Sequence, residues 1–168
     1  MENTDQEKVT LAQQYDKLAS KFKEIYLAGK ERGHEAMTVA LEKSHEQMSA
    51  LGEYSAEHGA ELKKYMARDL DQTLADAQNL GEGAKERLNP GRLGAGALAS
   101  LAAVLESAGN TLQSLGEKTR EKLTYSTGEI TSAGTLTCRA CGEAIHLKET
   151  GHIPPCPKCS ATLFNKGY

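Results

Sequence analysis

The C-terminal segment 138–159 reads CRACGEAIHLKETGHIPPCPKC and contains all four cysteines of the 168-residue chain. Cys138 and Cys141 form one C-x2-C pair, and Cys156 and Cys159 form a second pair after 14 intervening residues. Each pair can fold into a tight knuckle whose backbone N–H groups point at the sulfurs. If a β-hairpin joins the knuckles, four thiolates meet in a tetrahedron, which is the arrangement of a structural zinc ribbon.

Metal binding would explain how so small a tail folds. About 40 residues with few large apolar side chains cannot bury enough surface to be stable alone. A four-thiolate zinc site supplies on the order of 10 kcal/mol of folding free energy. One alternative to zinc is a pair of disulfides. The other is iron in a rubredoxin-like site, because a CPKC knuckle can bind zinc or iron. A closed four-thiolate site has no open position to activate water, and we expect His146 and His152 to be surface residues, not ligands.

The charge distribution gives no sign of a strong electrostatic grip on nucleic acid. The net charge is −3, but residues 134–168 carry four basic and two acidic residues, which leaves −5 for residues 1–133.

The N-terminal MENTDQEKVT is polar and acidic, unlike a signal peptide. The longest apolar run, LGAGALASLAAVL at 93–105, has 13 residues, short of the ~20 that span a bilayer. We therefore predict a soluble, cytoplasmic protein that does not enter membranes.

Upstream of the cysteines, apolar residues recur at alternating spacings of three and four, the signature of coiled-coil-like helices. Thr4 and Glu7 fit a capping box at the start, Gly33 interrupts the first seam, and Asn89–Gly94 (NPGRLG) is the clearest break. This pattern predicts three or four helices, each with a narrow apolar face. Such helices must pack on each other or on a second copy. The predicted seams are Leu11, Tyr15, Leu18, Phe22, Ile25 and Gly29; Met37, Leu41, Ser44, Met48 and Leu51; Leu62, Met66, Leu70, Thr73, Ala77, Leu80, Ala84 and Leu88; and Leu98, Leu101, Leu105, Ala108, Leu112, Leu115, Thr119 and Lys122.

The helical period disappears after residue 125, where Thr, Ile and Gly become frequent. We expect short strands near residues 135–137, 144–147 and 162–165. The predicted fold is mainly α, an elongated antiparallel helical hairpin or bundle with a small C-terminal β zinc ribbon. The predicted domains are residues 1–125 and 126–168, so replacing Cys138 or Cys156 by Ser should unfold only the C-terminal part.

Two Glu-x-x-His motifs suggest an enzyme alternative. Glu31 precedes His34 and Glu42 precedes His45, and di-iron bundles use such motifs on two helices. Rubrerythrins join such a bundle to a four-cysteine iron site. On one continuous helix the motifs would lie ~16 Å apart, so they could share a site only if the chain reversed at Gly33. Solvated polar faces are the simpler interpretation.

The C-terminal third resembles a zinc-ribbon-containing bacterial protein family of unknown function (YbeL-like). The resemblance rests on YSTGE, on a Gly and a Leu before the first knuckle, and on CPKC; its residues are Tyr125, Gly128, Glu129, Gly134, Leu136, Cys138, Cys141 and Cys156–Cys159. Ser160 departs from the pattern, because relatives tend to have Gly after the second knuckle. The resemblance implies a cytoplasmic bacterial protein with helices followed by a zinc ribbon, and it implies no particular activity.

The predicted function is non-enzymatic. The helices would form a scaffold or homo-oligomerisation surface, and the mildly basic ribbon would contact a protein or RNA partner. Arg139, Lys148, Lys158 and Lys166 are the candidate contacts, although scattered surface charge is the simpler interpretation of each. The alternatives are a rubrerythrin-like iron redox protein and an RNA- or ribosome-associated ribbon.

Overall fold

The computed structural model describes residues 2–79, 96–108 and 123–167, and these residues are mainly helical with a small C-terminal antiparallel sheet. The four helices of this part are α1 (Glu2–Ala28), α2 (His34–Ala50), α3 (Ala56–Asn79) and α4 (Ala97–Ala108). The strands are β1 (Tyr125–Ser126), β2 (Ile130–Thr131), β3 (Gly134–Cys138), β4 (Ala144–Leu147), β5 (Gly151–His152) and β6 (Leu163–Gly167). No helix in these ranges is long and apolar enough to cross a membrane.

A short loop at residues 29–33 separates α1 from α2. Gly33 has φ 108°, in the left-handed region that side chains with a Cβ rarely adopt, so the helix breaks there. Arg32 closes the end of α1, because its Nη1 donates to the carbonyl of Gly29 (2.7 Å) and its guanidinium lies 5.3 Å from the Tyr26 ring. The predicted break at Asn89–Gly94 lies outside the described residues, as do the side chains of the predicted capping box.

The helices share one apolar core, and most of the described seam residues point into it. Several predicted positions were wrong: Gly29 is exposed, and the buried Tyr26 and Leu74 were left out of the predicted seams. Leu51 follows the end of α2 and is 75% exposed. On α4 the fully buried positions include Ala97 and Val104, which the predicted seam omitted. The correctly predicted buried residues are Tyr15, Leu18, Phe22, Met37, Leu41, Ser44, Met48, Leu62, Met66, Leu70, Thr73, Leu101 and Ala108. The side chain of Ala77 and the predicted positions from Leu80 to Leu88 and from Leu112 to Lys122 lie outside what the structure describes.

Helix α1 is the centre of the helical part, since it packs against α2, α3 and α4. Asp16 on α1 also caps α4, because its Oδ1 accepts the backbone N–H of Ala97 (2.8 Å). This bond satisfies one of the donors that a helix leaves unpaired at its start. The same oxygen accepts the hydroxyl of Thr150 from the C-terminal part (2.6 Å), so one carboxylate joins α1, α4 and the ribbon.

The C-terminal part contains a four-stranded antiparallel sheet in the order β1-β6-β3-β4 and a separate β2-β5 pair. The three strands predicted from the sequence are present as β3, β4 and β6, and the two-residue strands β1, β2 and β5 were missed. Tyr125, Leu136, Ile153 and Phe164 form a small apolar cluster with two of the cysteines. This cluster is small, which fits the expectation that the tail needs another source of stability.

Contacts cross the predicted division at residues 125 and 126. Ile130 of β2 belongs to the helical core, and both α1 and α3 contact β2. The division into two domains stays a prediction, but residues 130–132 pack as much with the helices as with the ribbon.

We expect Leu101→Ala to lower the free energy of unfolding by about 2–5 kcal/mol, because truncating this fully buried side chain leaves a cavity between helices. Leu51→Ala is the matched control, and as a surface change it should cost no more than about 0.5 kcal/mol. Urea denaturation followed by circular dichroism measures both values. Equal losses in the two variants would contradict the assignment of the core.

Candidate metal centre

The four cysteine sulfurs lie within 4.8 Å of one another. Cys138 Sγ is 3.6 Å from Cys159 Sγ, and Cys141 Sγ is 3.6 Å from Cys156 Sγ. A disulfide would need a sulfur–sulfur separation of about 2.05 Å, so the cysteines are free thiols. Four sulfurs that each lie about 2.3 Å from a central zinc would be about 3.8 Å apart. The structure therefore brings the four predicted ligands together at a spacing that fits one tetrahedral ion.

The first knuckle is closed by two backbone hydrogen bonds. The N–H of Cys138 donates to the carbonyl of Glu143 (2.8 Å), and the N–H of Gly142 donates to the carbonyl of Cys138 (2.9 Å). The tight turn requires φ 75° at Gly142, which glycine adopts without strain. The chain thus reverses immediately after Cys141 and enters β4.

The second knuckle repeats this pattern at the equivalent positions. The N–H of Cys156 donates to the carbonyl of Ala161 (3.0 Å), and the N–H of Ser160 donates to the carbonyl of Cys156 (2.9 Å). Ser160 is the counterpart of Gly142, and its φ of 60° makes it the only described non-glycine residue with a positive φ. The departure at Ser160 noted from the sequence therefore falls at a position where the backbone favours glycine.

Backbone amides and neighbouring thiols act on the cysteines in opposite directions. The N–H of Cys141, with that of Ala140, lowers the pKa of Cys138 to about 7. The N–H of Ala161 lowers the pKa of Cys159, but the three nearby thiols and burial outweigh it and raise that pKa to about 12. One thiolate therefore forms near neutral pH, while a cluster of four needs a cation to offset its charge.

Neither histidine between the knuckles joins the cluster. His146 is exposed on β4, and its Nδ1 lies 3.0 Å from Thr135 Oγ1. His152 is half-buried on β5, and its Nδ1 lies 2.7 Å from the carbonyl oxygen of Gly128. His146 is on the surface of a predicted strand, whereas His152 is only half-exposed and lies in a strand that the sequence did not predict.

The Glu-x-x-His motifs do not gather metal ligands either. His34 Nε2 lies 3.6 Å from Asp71 Oδ1, and His45 stacks on the Tyr54 ring with centroids 5.9 Å apart. Glu42 pairs with a lysine of α3 at 2.9 Å. Among the described residues, the four cysteines are the only group of three or more His, Cys, Asp or Glu side chains whose ligand atoms converge.

The structure corrects one of the four basic residues predicted to face a partner. Lys166 is buried, and its side chain is fully inaccessible to solvent. Lys158 is exposed but lies 3.8 Å from a carboxylate oxygen of Glu143, while Arg139 and Lys148 are exposed. The ribbon surface is accordingly less basic than the sequence suggested.

Sequence reasoning missed the partner of Lys166, which is Asp69 on α3. This carboxylate is fully buried, and its Oδ2 lies 3.7 Å from the lysine Nζ. One sequence signal could have placed Asp69 inside: it lies four residues before Thr73, a predicted seam position, so the two share one helix face.

Two cysteine knuckles carried by a small antiparallel sheet define the class of zinc-ribbon domains. A family model described as a zinc-ribbon containing domain matches residues 24–167, and the chain belongs to this family. The match begins within α1, so the family unit includes helices as well as the ribbon. No curated protein and no solved structure matches the chain.

We expect Ser160→Gly to retain the metal as well as the wild type or better, because a left-handed non-glycine residue costs about 1–2 kcal/mol, which glycine's greater chain entropy only partly offsets. Ser160→Val should release the metal faster, since a β-branched side chain tolerates this φ poorly. Transfer of zinc to an excess of a coloured chelator measures the release rates. Identical rates in all three proteins would show that the second knuckle does not depend on this backbone conformation.

Proposed function

We propose that this chain is a non-enzymatic zinc-binding protein in which Cys138, Cys141, Cys156 and Cys159 hold one structural zinc ion. The convergence of four free thiols within 4.8 Å carries the proposal. A reducing compartment keeps such thiols available for metal, so the proposal includes a bacterial cytoplasmic location. The remaining parts of the chain then form a scaffold for a protein partner or a second copy.

Zinc bound by four thiolates is coordinatively closed, so it would contribute folding free energy and charge compensation, not Lewis-acid catalysis. The protein's own contribution is to bring the thiols together at this spacing. The paired knuckle turns at Gly142 and Ser160 do this, and the amide N–H groups aimed at the sulfurs favour the thiolate form.

The scaffold part of the proposal, an antiparallel helical bundle with a partner surface, is supported by a groove between α1 and α2. This cavity of about 380 Å³ is lined by apolar residues that include Ile25, Ala36 and Val39, and Val39 is 46% exposed. Lys30 and Lys43 stand among its lining residues, with one glutamate. A groove lined by apolar residues and by more lysines than glutamates favours an amphipathic acidic segment of a partner.

No described contact favours the two alternative functions. A rubrerythrin-like protein would need a carboxylate–histidine cluster, and three of the four Glu-x-x-His residues, His34, Glu42 and His45, are engaged in separate contacts. A ribbon that binds RNA through charge would need a basic face, and the burial of Lys166 removes one of the four candidate contacts.

Native mass spectrometry of protein purified under reducing conditions should show one zinc per chain. Cys138→Ser should lose the ion, because three thiolates bind it far less tightly than four. His146→Ala is the matched control from the same ribbon and should keep it. Full occupancy by iron, or zinc retained in the cysteine variant and lost in the histidine variant, would contradict the proposal.

A negative charge introduced among the lining residues tests whether the groove binds a partner. Val39→Asp should reduce capture of partner proteins from native cells by about tenfold, since repulsion and lost apolar area both weaken an acidic segment. Leu51→Asp, which alters an exposed leucine that is not part of the groove lining, should capture the same proteins as the wild type. Equal capture by all three baits would place the partner surface elsewhere.

A further inference from the structure

A buried lysine attaches the last strand of the ribbon to the helices. The Nζ of Lys166 on β6 donates to the Thr131 hydroxyl (2.7 Å), the Ser132 carbonyl (2.8 Å) and the Ser132 hydroxyl (2.8 Å). It also lies 3.7 Å from Asp69 Oδ2, and both side chains of this pair are fully buried. The lysine therefore has short contacts to the segment after β2 and an opposite charge from α3.

The Asp69 carboxylate joins three parts of the chain. Its Oδ2 accepts the Tyr15 hydroxyl from α1 (2.5 Å) and the Ser132 backbone N–H (2.8 Å). The Thr131 hydroxyl also donates to it (2.9 Å). Because Thr131 and Ser132 also accept from Lys166, the lysine and the carboxylate form one connected buried network.

The neighbouring Arg68 makes a second attachment to the residues that carried the family resemblance. Its guanidinium lies 4.0 Å from the Tyr125 ring and pairs with Glu129. Its Nη2 donates to the Ile130 carbonyl (3.0 Å), and Glu129 also accepts the Ser126 N–H (3.0 Å). The YSTGE segment is thus a docking element that holds the ribbon against α3.

The charged pair is stable only when both partners are in place. Burial alone would raise the pKa of Asp69, but Lys166 and Arg68 with two hydrogen bonds hold it below its ordinary value. Burial lowers the pKa of Lys166 to about 8, so the amine is still protonated at neutral pH. Removing either partner would leave an uncompensated charge in the interior.

The strand that carries Lys166 is positioned by the cysteine knuckles. In the β3–β6 pairing Cys138 lies opposite Phe164, and Leu136 lies opposite Lys166. The backbone N–H of Arg139, inside the first knuckle, donates to the carbonyl of Leu163 (3.0 Å). The position of the lysine therefore depends on the fold of the first knuckle, which a bound metal would hold.

We propose that Lys166 and Asp69 form a metal-dependent latch: metal binding orders β6, which seats the lysine against the carboxylate and locks the ribbon onto α1 and α3, and metal loss releases it. The inference rests on the proposed metal binding by the four cysteines. Binding free energies are linked reciprocally, so the latch also tightens the hold of the ribbon on its metal. The packing of the ribbon against α1 and α3 thereby depends on bound metal.

Chemical labelling of the full-length protein tests the release directly. An amine-reactive reagent, read out by mass spectrometry, should label Lys166 about tenfold faster or more once a chelator has removed the metal under reducing conditions. Lys158 is the internal control, because it is 62% exposed and should react in both states. If metal analysis confirms removal and Lys166 stays protected, the latch is wrong while zinc binding stands. If the purified protein holds no metal at all, the proposed function itself fails.

Substitutions test the reverse direction of the coupling. In competition with a coloured chelator, Lys166→Met should bind zinc about tenfold more weakly, because the undocked ribbon is easier to unfold. Lys148→Met, an exposed lysine of the same ribbon, should bind zinc like the wild type.

The double variant Asp69→Asn/Lys166→Met guards against simple misfolding. It removes both charges, so it should recover part of the stability and zinc affinity lost in Lys166→Met. If Lys166→Met fails to fold, the double variant and the labelling of wild-type protein still decide the question. Unchanged zinc affinity in a folded Lys166→Met protein would overturn the latch.

Discussion

The buried carboxylate of Asp69 is the interaction on which the packing of the ribbon against α1 and α3 depends. It lies on α3, accepts the Tyr15 hydroxyl of α1, and holds Thr131, Ser132 and Lys166 of the C-terminal part. A carboxylate in an apolar interior is costly unless charges and donors surround it, and here both are present. The Asp69 network therefore fixes the helices against the ribbon, beside the separate Asp16–Thr150 and Arg68–Glu129 contacts.

The cysteine cluster has a different physical basis. Its geometry comes from two short turns that share one hydrogen-bond pattern, with Gly142 and Ser160 at equivalent left-handed positions. The apolar cluster beneath them contains only a few large side chains. A small β unit of this kind gains stability from outside its own core, through a bound ion and through contact with neighbouring helices. In this protein the cysteine spacing suits a bound ion, and the ribbon also contacts the helices.

Much of the helical core could be anticipated from apolar periodicity, because a buried face recurs every three or four residues whatever the helix packs against. The pattern erred where such residues were too abundant to discriminate. On α4, nearly every residue from Ala97 to Val104 is apolar, so periodicity alone could not choose Val104 over Leu105. Leu51 was misplaced because the helix ends just before it; the signal for this end is Gly52, which has φ 70° and follows Leu51 directly.

The ribbon could be predicted from the sequence because its signals are local. The paired cysteines, their spacing and the glycine after the first knuckle lie within a few residues of one another. The burial of Lys166 against Asp69 could not be predicted from the sequence. From composition alone, the lysine was expected to be a solvent-exposed charge. That pairing requires β6 to lie beside β3 and β2 to contact α3, which are contacts between segments far apart in the chain. Local patterns carry no information about such a meeting, so only the folded arrangement distinguishes a buried charged pair from two solvated side chains.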